Sequence, residues 1–346
     1  MASLFQKSSK TLTLKAPVLS GIPSSSDFIV TSEPMPKLEL DGAILVKLTS
    51  LSADPYMRSG LKTNAAGSKI GGFVTCEVIS SKNESYKPGE MYGAWLNFTT
   101  HQIVEPSKTA FGLWPLSPYI TNATRTLGLG IFGMPGSTAY GGLIDILKPL
   151  KGETIFVSAA SGAVGSLVGL LAKKLYDCKV IGSAGGPEKC KVLMDLGYFD
   201  HAIDYKQHTT FESLTAALKV AAPDGIDMYF ENVGGIHFDA AFASLRLKGR
   251  IAICGSISTY NNAGARPTNA IDISAMIYTQ QRIQGFLCGE YLKGSKLSFF
   301  EDINKMYKAG DLCVPEETVF KGLEKWPDAF ATLFTGAKMG KVVVKL

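Results

Sequence analysis

The chain is poor in the residues that hold metals or cross-link a fold. Its 346 residues include six cysteines and four histidines. Cys76, Cys178, Cys190, Cys254, Cys288 and Cys313 form no Cys-x-x-Cys pair, and their scatter matches no disulfide framework. His101, His201, His208 and His237 are as dispersed, so no Cys or His pair has the close spacing of zinc ligands. Cys76 alone reads either as a ligand or as a buried strand cysteine. Long apolar runs are also missing: no window of roughly 18 apolar residues occurs, so no transmembrane helix is expected. An apolar signal core is absent from the N-terminus, which makes the cytoplasm the expected compartment. The formal net charge of +5 is spread thinly without blocks of one sign, which argues against nucleic acid or a membrane surface as partner.

What is present is enough apolar sequence for a large core, 46% hydrophobic against 19% charged, over a length suited to two domains. Up to about residue 125, short alternating runs are separated by Gly, Pro, Asn and Ser. Lys10–Lys15, Ala43–Leu48 and Gly72–Ile79 are examples, and the pattern is all-β. From about residue 150 to 290, strands and helices alternate. The spacing predicts strands over Thr154–Ala159, Lys179–Ala184, Ala202–Asp204, Ile226–Asn232, Arg250–Gly255 and Arg282–Leu287. Helices are predicted over Ser166–Tyr176, Pro187–Leu196, Phe211–Ala221 and Phe238–Leu245. Such alternation specifies an α/β fold with an open, doubly wound parallel sheet. A final strand, Lys341–Leu346, follows the helical pattern Trp326–Phe334 and is free to return to the β domain. The expected domains are 1–125 with 311–346, and 126–310.

Within the α/β half, Ala160-Ser161-Gly162-Ala163-Val164-Gly165 joins an apolar strand to a helix start. Glycines at such a turn let backbone approach a pyrophosphate, and a helix N-terminus offers it free N–H groups. The first glycine of the usual fingerprint is replaced by Ala160. A site for NAD would place an acid about 20 residues further on, to accept from the ribose 2′-hydroxyl. Ser183, Ala184, Gly185 and Gly186 stand there instead, followed by Lys189. A cation without the acid suits a 2′-phosphate and hence NADP, although Lys189 also reads as a solvated lysine at a helix start.

Asp54-Pro55-Tyr56-Met57-Arg58, Gly133–Tyr140, Ala159–Gly165, Glu231-Asn232-Val233-Gly234-Gly235 and Gly249–Tyr260 occur in this order. Together they resemble the medium-chain dehydrogenase/reductase superfamily. The similarity is to its zinc-independent double-bond reductases, the branch of leukotriene B4 dehydrogenases, prostaglandin reductases and plant alkenal reductases. The resemblance implies a Rossmann domain and a GroES-like β domain completed by the C-terminal segment. It implies NADPH-dependent reduction of the C=C bond of α,β-unsaturated ketones and aldehydes without a metal, and a homodimer.

It also distributes roles. Gly162, Ala163, Val164 and Gly165 would lie at the pyrophosphate, and Lys189 and Tyr205 at the 2′-phosphate. Asn232, Cys254, Ser256, Ser258 and Tyr260 would follow the ribose and nicotinamide, with Phe286, Leu287 and Cys288 beside the nicotinamide. Tyr56 would contact substrate, and reads equally as packing under a proline turn. Tyr260 follows a strand at the carboxyl edge of the sheet and is protonated at neutral pH, as a donor to a developing enolate must be. It reads equally as a wall of the cofactor site. Tyr140 reads as helix packing. Lys338 stands where the family commonly has Asn, and either reaches a phosphate or points to solvent. Two other functions fit the same fold: an NADPH quinone reductase, and a non-catalytic NADPH-binding structural or interaction protein.

Overall fold

The computed structural model describes residues 8–262, 271, 273–292 and 298–346. The start of the Ser- and Lys-rich N-terminal stretch lies outside them. The chain divides into two compact units. One runs up to Met134 and regains Thr318–Ala337 and Val342–Leu346; the other comprises Pro135–Glu317 and Lys338–Lys341. The first unit reaches Met134 because the turn Arg125–Leu129 packs its Gly128 against Leu116 and Thr75.

The first unit is a seven-stranded, largely antiparallel sheet. Its order is Thr318–Lys321, Val342–Lys345, Ile44–Ser52, Gly71–Ser81, Met91–Asn97 and Leu113–Pro115, with His101–Val104 paired to Ile44–Ser52. Ser8–Leu14 and Phe28–Pro34 form a separate antiparallel pair. The C-terminal strand pairs antiparallel with Ile44–Ser52, Val344 opposite Leu51. The returning segment also supplies the core. Trp326, fully buried, donates its indole N–H to Ser52 O at 2.8 Å and stacks on Phe330 at 4.8 Å. Arg58 is also fully buried. Its guanidinium donates to Val18 O at 2.7 Å and Gly21 O at 3.1 Å, tying an entry loop to the helix Met57–Thr63.

Among the described residues the second unit holds six strands in the order His201–Asp204, Lys179–Ala184, Thr154–Val157, Ile226–Glu231, Leu245–Ile253 and Arg282–Gly285. Every pairing is parallel. Thr154–Val157 is buried along its whole length, as a parallel strand covered on both faces must be. Helices Ala163–Tyr176, Pro187–Asp195, Phe211–Ala221 and Ile236–Ala243 connect the strands. The strand order reverses between Thr154–Val157 and Ile226–Glu231, which makes their carboxyl ends the switch point where ligands bind in such sheets.

Several boundaries differ from the sequence reading for local reasons. The first strand stops at Val157 because Ala159 turns into the left-handed region at φ +49°. The fourth stops at Glu231, whose carboxylate turns the chain by accepting the N–H groups of Val233 and Gly234. The fifth begins at Leu245 rather than Arg250: pairing shifts register between Ile226 and Met228, and the irregular stretch of alternating Leu and basic residues is taken up as strand. The sixth stops at Gly285, where Phe286 folds onto Phe230.

The first crossover depends on missing side chains. A Cβ on Gly165 would lie 2.6 Å from Ala159 O and 2.8 Å from Ala160 Cα, both backbone atoms that cannot swing aside. Gly165→Ala is therefore expected to cost about 1–3 kcal/mol, measured as a lower midpoint of urea unfolding. An unchanged midpoint would show that the helix does not pack on the turn this closely.

Candidate active site

At the switch point, Ala160 N–H donates to Ser183 O at 2.9 Å, so the turn is held against the second strand. The methyl of Ala160 sits where a Cβ on Gly182 would come within 2.8 Å. The fingerprint's missing glycine has thus moved to the neighbouring strand: Ala160 is tolerated because Gly182 has no side chain. Gly162 is the N-cap of Ala163–Tyr176, and no side chain caps that helix. The N–H groups of Ala163, Val164 and Gly165 belong to its first turn and have no partner within the helix. Gly162 also pairs with Gly340, whose N–H donates to Ser161 O at 2.9 Å. This contact carries Lys338 over the turn, its Nζ 3.1 Å from the position a Cβ on Gly162 would take.

Past the second strand, Gly185 lies under the Tyr205 hydroxyl, 2.8 Å from where its Cβ would be. The Asp204 carboxylate accepts the N–H groups of Gly186 at 2.7 Å and Lys206 at 3.1 Å. It fixes the loop that precedes Lys189. Burial, and then the charge of Lys206, lower the Lys189 pKa. Two cations therefore share this corner, and a dianion between them would relieve their repulsion. Tyr205 packs edge-on against His237 at 5.2 Å. His237 is buried and its pKa is pushed down to about 4 by burial, so it is neutral there at physiological pH.

The ends of the first, fourth and fifth strands are stitched together. Ser158 O accepts the Asn232 amide at 2.8 Å, and Ser158 Oγ accepts the Asn232 backbone N–H at 3.0 Å. Asn232 O accepts Ile257 N–H at 3.1 Å, and Ser258 Oγ donates to Val233 O at 2.6 Å. A Cβ on Gly234 would lie 2.3 Å from Ser256 Oγ, so only glycine fits beneath this loop. Tyr260 is partly buried, and its hydroxyl accepts the Ser256 N–H at 3.2 Å. Burial raises its pKa, opposed by that hydrogen bond. Cys254 is pushed up to about 12, first by burial and then by the neighbouring Cys288 and Glu231. The Phe286 ring closes over Gly142 and meets Phe230 at 6.1 Å, while Leu287 is 79% exposed.

In the first unit, Tyr56 is 39% exposed and packs edge-on against Phe73 at 6.1 Å. Cys76 is fully buried in Gly71–Ser81 and its thiol is pushed up to about 12 by burial, the environment of a packing residue. Tyr140, in the second unit, donates to Asp302 and packs on Phe299, so helix packing accounts for it.

Three residues at these edges escaped the sequence reading as site residues. Ser158 sits one residue past the first strand, and in the sequence it reads as more of that strand. Lys206 follows Tyr205 directly, yet only the fold brings it near Lys189. Lys338 was visible as a departure from the family pattern, but its place over Gly162 depends on the return of a distant segment.

The glycine turn, the uncapped helix start and the two basic corners fit a dinucleotide phosphate, judged by the donors present. Residues 163–306 match a family model described as zinc-binding dehydrogenase, and residues 10–111 one described as N-terminal domain of oxidoreductase. Among the described residues, no group of three or more His, Cys, Asp or Glu is arranged to hold a metal ion. The chain is 39% identical to prostaglandin reductase 1 of Mus musculus, over 97% of this chain and 98% of that protein. It is 38% identical to the NADP(+)-dependent 2-alkenal reductase of Nicotiana tabacum, over 97% of each. CurA from Vibrio vulnificus, solved in complex with NADPH, superposes with a TM-score of 0.82 at 33% identity, covering 97% of this chain and 98% of that one. The chain belongs to the medium-chain dehydrogenase/reductase family, in its zinc-independent prostaglandin reductase and alkenal reductase branch.

Proposed function

We propose that this protein is an NADPH-dependent reductase of the C=C bond of α,β-unsaturated ketones and aldehydes. The observation that supports this most directly is the Tyr260 hydroxyl. It accepts a backbone N–H from its own loop at 3.2 Å, and its proton stays available for donation. The full-length likeness to a prostaglandin reductase and an alkenal reductase supports the same substrate class.

When bound, NADPH supplies a hydride for the β-carbon of the substrate. Tyr260 Oη holds a proton and directs it at the carbonyl oxygen, where negative charge collects. A donor aimed at that charge stabilises the transition state more than the ground state. The raised pKa keeps the phenol protonated through neutral pH. The α-carbon takes a proton to complete the saturated product. The N–H groups of Ala163, Val164 and Gly165 would hold the pyrophosphate, with Lys338 as a cation across the turn; Gly162 would border it without donating, since its own N–H is held by Ala159 O at 3.0 Å. Lys189 and Tyr205, with Lys206 alongside, would hold the 2′-phosphate. Asn232, Cys254, Ser256 and Ser258 would line the ribose and nicotinamide, and Phe286, Leu287 and Cys288 would flank the nicotinamide. Tyr56 binds substrate.

The proposed assembly is a homodimer, and the compartment the cytoplasm. Among the described residues Arg282–Gly285 is an edge strand, and Ile273, Ile277 and Tyr278 near it are 74%, 71% and 81% exposed. An apolar patch beside an unpaired strand edge is a liability unless another chain covers it, and a second copy supplies the matching edge. None of the six cysteines is in a disulfide, which suits a reducing compartment. Among the described residues no helix is long and apolar enough to cross a membrane.

Tyr260→Phe is expected to lower kcat for an enone by about 100-fold, the usual loss for one oxyanion donor, with NADPH binding retained. Unchanged kcat would leave Tyr260 as a wall of the site. Lys189→Ala should weaken NADPH by about 10-fold to 100-fold relative to NADH. An unaltered ratio of the two dissociation constants would place the 2′-phosphate elsewhere. For the assembly, light scattering should give a dimer mass for the wild type and a monomer mass for Ile277→Glu/Tyr278→Glu. A monomeric wild type would remove the edge contact.

A further inference from the structure

Glu231 closes the fourth strand of the dinucleotide sheet and is only 2% exposed. Its Oε1 accepts the N–H of Gly234 at 2.9 Å and that of Val233. The Tyr229 hydroxyl lies 2.9 Å and Ser158 Oγ 3.4 Å from the same oxygen. Oε2 is buried and has no hydrogen-bond partner among the described residues. The main chain of Glu231 is engaged as well: its carbonyl accepts Cys254 N–H at 2.9 Å and Gly255 N–H at 3.1 Å.

These contacts form a short mechanical path. The carboxylate holds the turn that carries Gly234 at φ +80° and Gly235 at φ +57°. The carbonyls of that turn hold the next loop, Asn232 O to Ile257 N–H and Val233 O to Ser258 N–H, both at 3.1 Å. The loop ends at Tyr260, whose hydroxyl is in turn fixed by Ser256 N–H. A carboxyl is a poor choice for this place if stability is all that is required. Burial disfavours its charged form and pushes its pKa up against the pull of the surrounding donors, and one oxygen goes unbonded. What a carboxyl adds is one compact acceptor able to gather two adjacent backbone N–H groups and a hydroxyl at a single point.

We infer that Glu231 is a positioning residue for the reduction: its Oε1 pins the Val233–Gly234 turn, and the turn sets the Ser256–Ser258 loop and the Tyr260 hydroxyl. The inference rests on the reductase reading. It concerns a residue that contacts neither the substrate nor the reacting atoms.

The test compares Glu231→Gln with Glu231→Asp in the full-length protein, each first shown to be folded by its thermal transition. Gln keeps an acceptor at the same reach. Asp withdraws it by one methylene from both N–H groups. Glu231→Gln should keep kcat and the NADPH dissociation constant within about twofold of wild type. Glu231→Asp should lose about 10-fold to 100-fold in kcat, because a small displacement of a donor is enough. The enone KM should change by less than about twofold in both. A purely structural residue would lower the unfolding temperature without this split between kcat and KM or this rescue by Gln. The inference is overturned if folded Glu231→Asp matches wild type in kcat, or if Glu231→Gln loses as much as Asp. NADPH binding, read by cofactor fluorescence, keeps the two readings apart. If the wild type binds NADPH and reduces no enone, the reductase reading fails, while a weaker NADPH affinity in Glu231→Asp alone still reports the brace.

Discussion

Close approach of backbone to backbone at the first crossover is the constraint on which the dinucleotide half depends. The helix Ala163–Tyr176 reaches the sheet only because Gly165 carries no Cβ, and the turn reaches the second strand only because Gly182 carries none. Once the helix is seated, its uncapped N-terminus points at the switch point of the sheet. Such a helix start offers orphan N–H groups and the positive end of the helix dipole to an anion with no added charged residue.

The rest of the edge is built by tying loops to one another. Ser158, Asn232, Val233 and the Ile257–Tyr260 turn exchange hydrogen bonds at one corner, and Glu231 sits beneath them. Loops held this way keep a hydroxyl such as that of Tyr260 within the small tolerance that oriented donors need. Charge is treated differently. Lys206 lies near Lys189, and Lys338 lies over Gly162, so basic side chains gather at this edge.

Much of the fold was legible because the parallel strands are buried on both faces. Lys179–Ala184 and Phe211–Ala221 have in the structure the bounds that apolar runs and helical spacing predict. Strand ends were less legible. The same apolar letters continue past Val157, and the end there is set by a left-handed Ala159, a residue with no outward mark of that conformation. Phe286 follows the sixth strand, and which neighbours its ring meets, Phe230 and Gly142, is not written in the sequence. The acid sought after the second strand is not in that strand. Asp204, at the end of the third, bonds Gly186 instead. Contacts between neighbouring strands carry no fixed separation in sequence, so motif spacing alone does not reveal them.

By itself the sequence determined the two architectures, the glycine turn, the scarcity of metal-ligand pairs and the tyrosine at the sheet edge. Each is a matter of local composition and period, which a chain carries whatever its neighbours do. Only the tertiary structure decided that Lys206 joins Lys189, that Lys338 lies over Gly162, and that Glu231 braces the Tyr260 loop. Those are contacts between segments distant in sequence or turned back on themselves. Their geometry is set by how sheet, turn and returning strand fill space, and the order of residues does not state it.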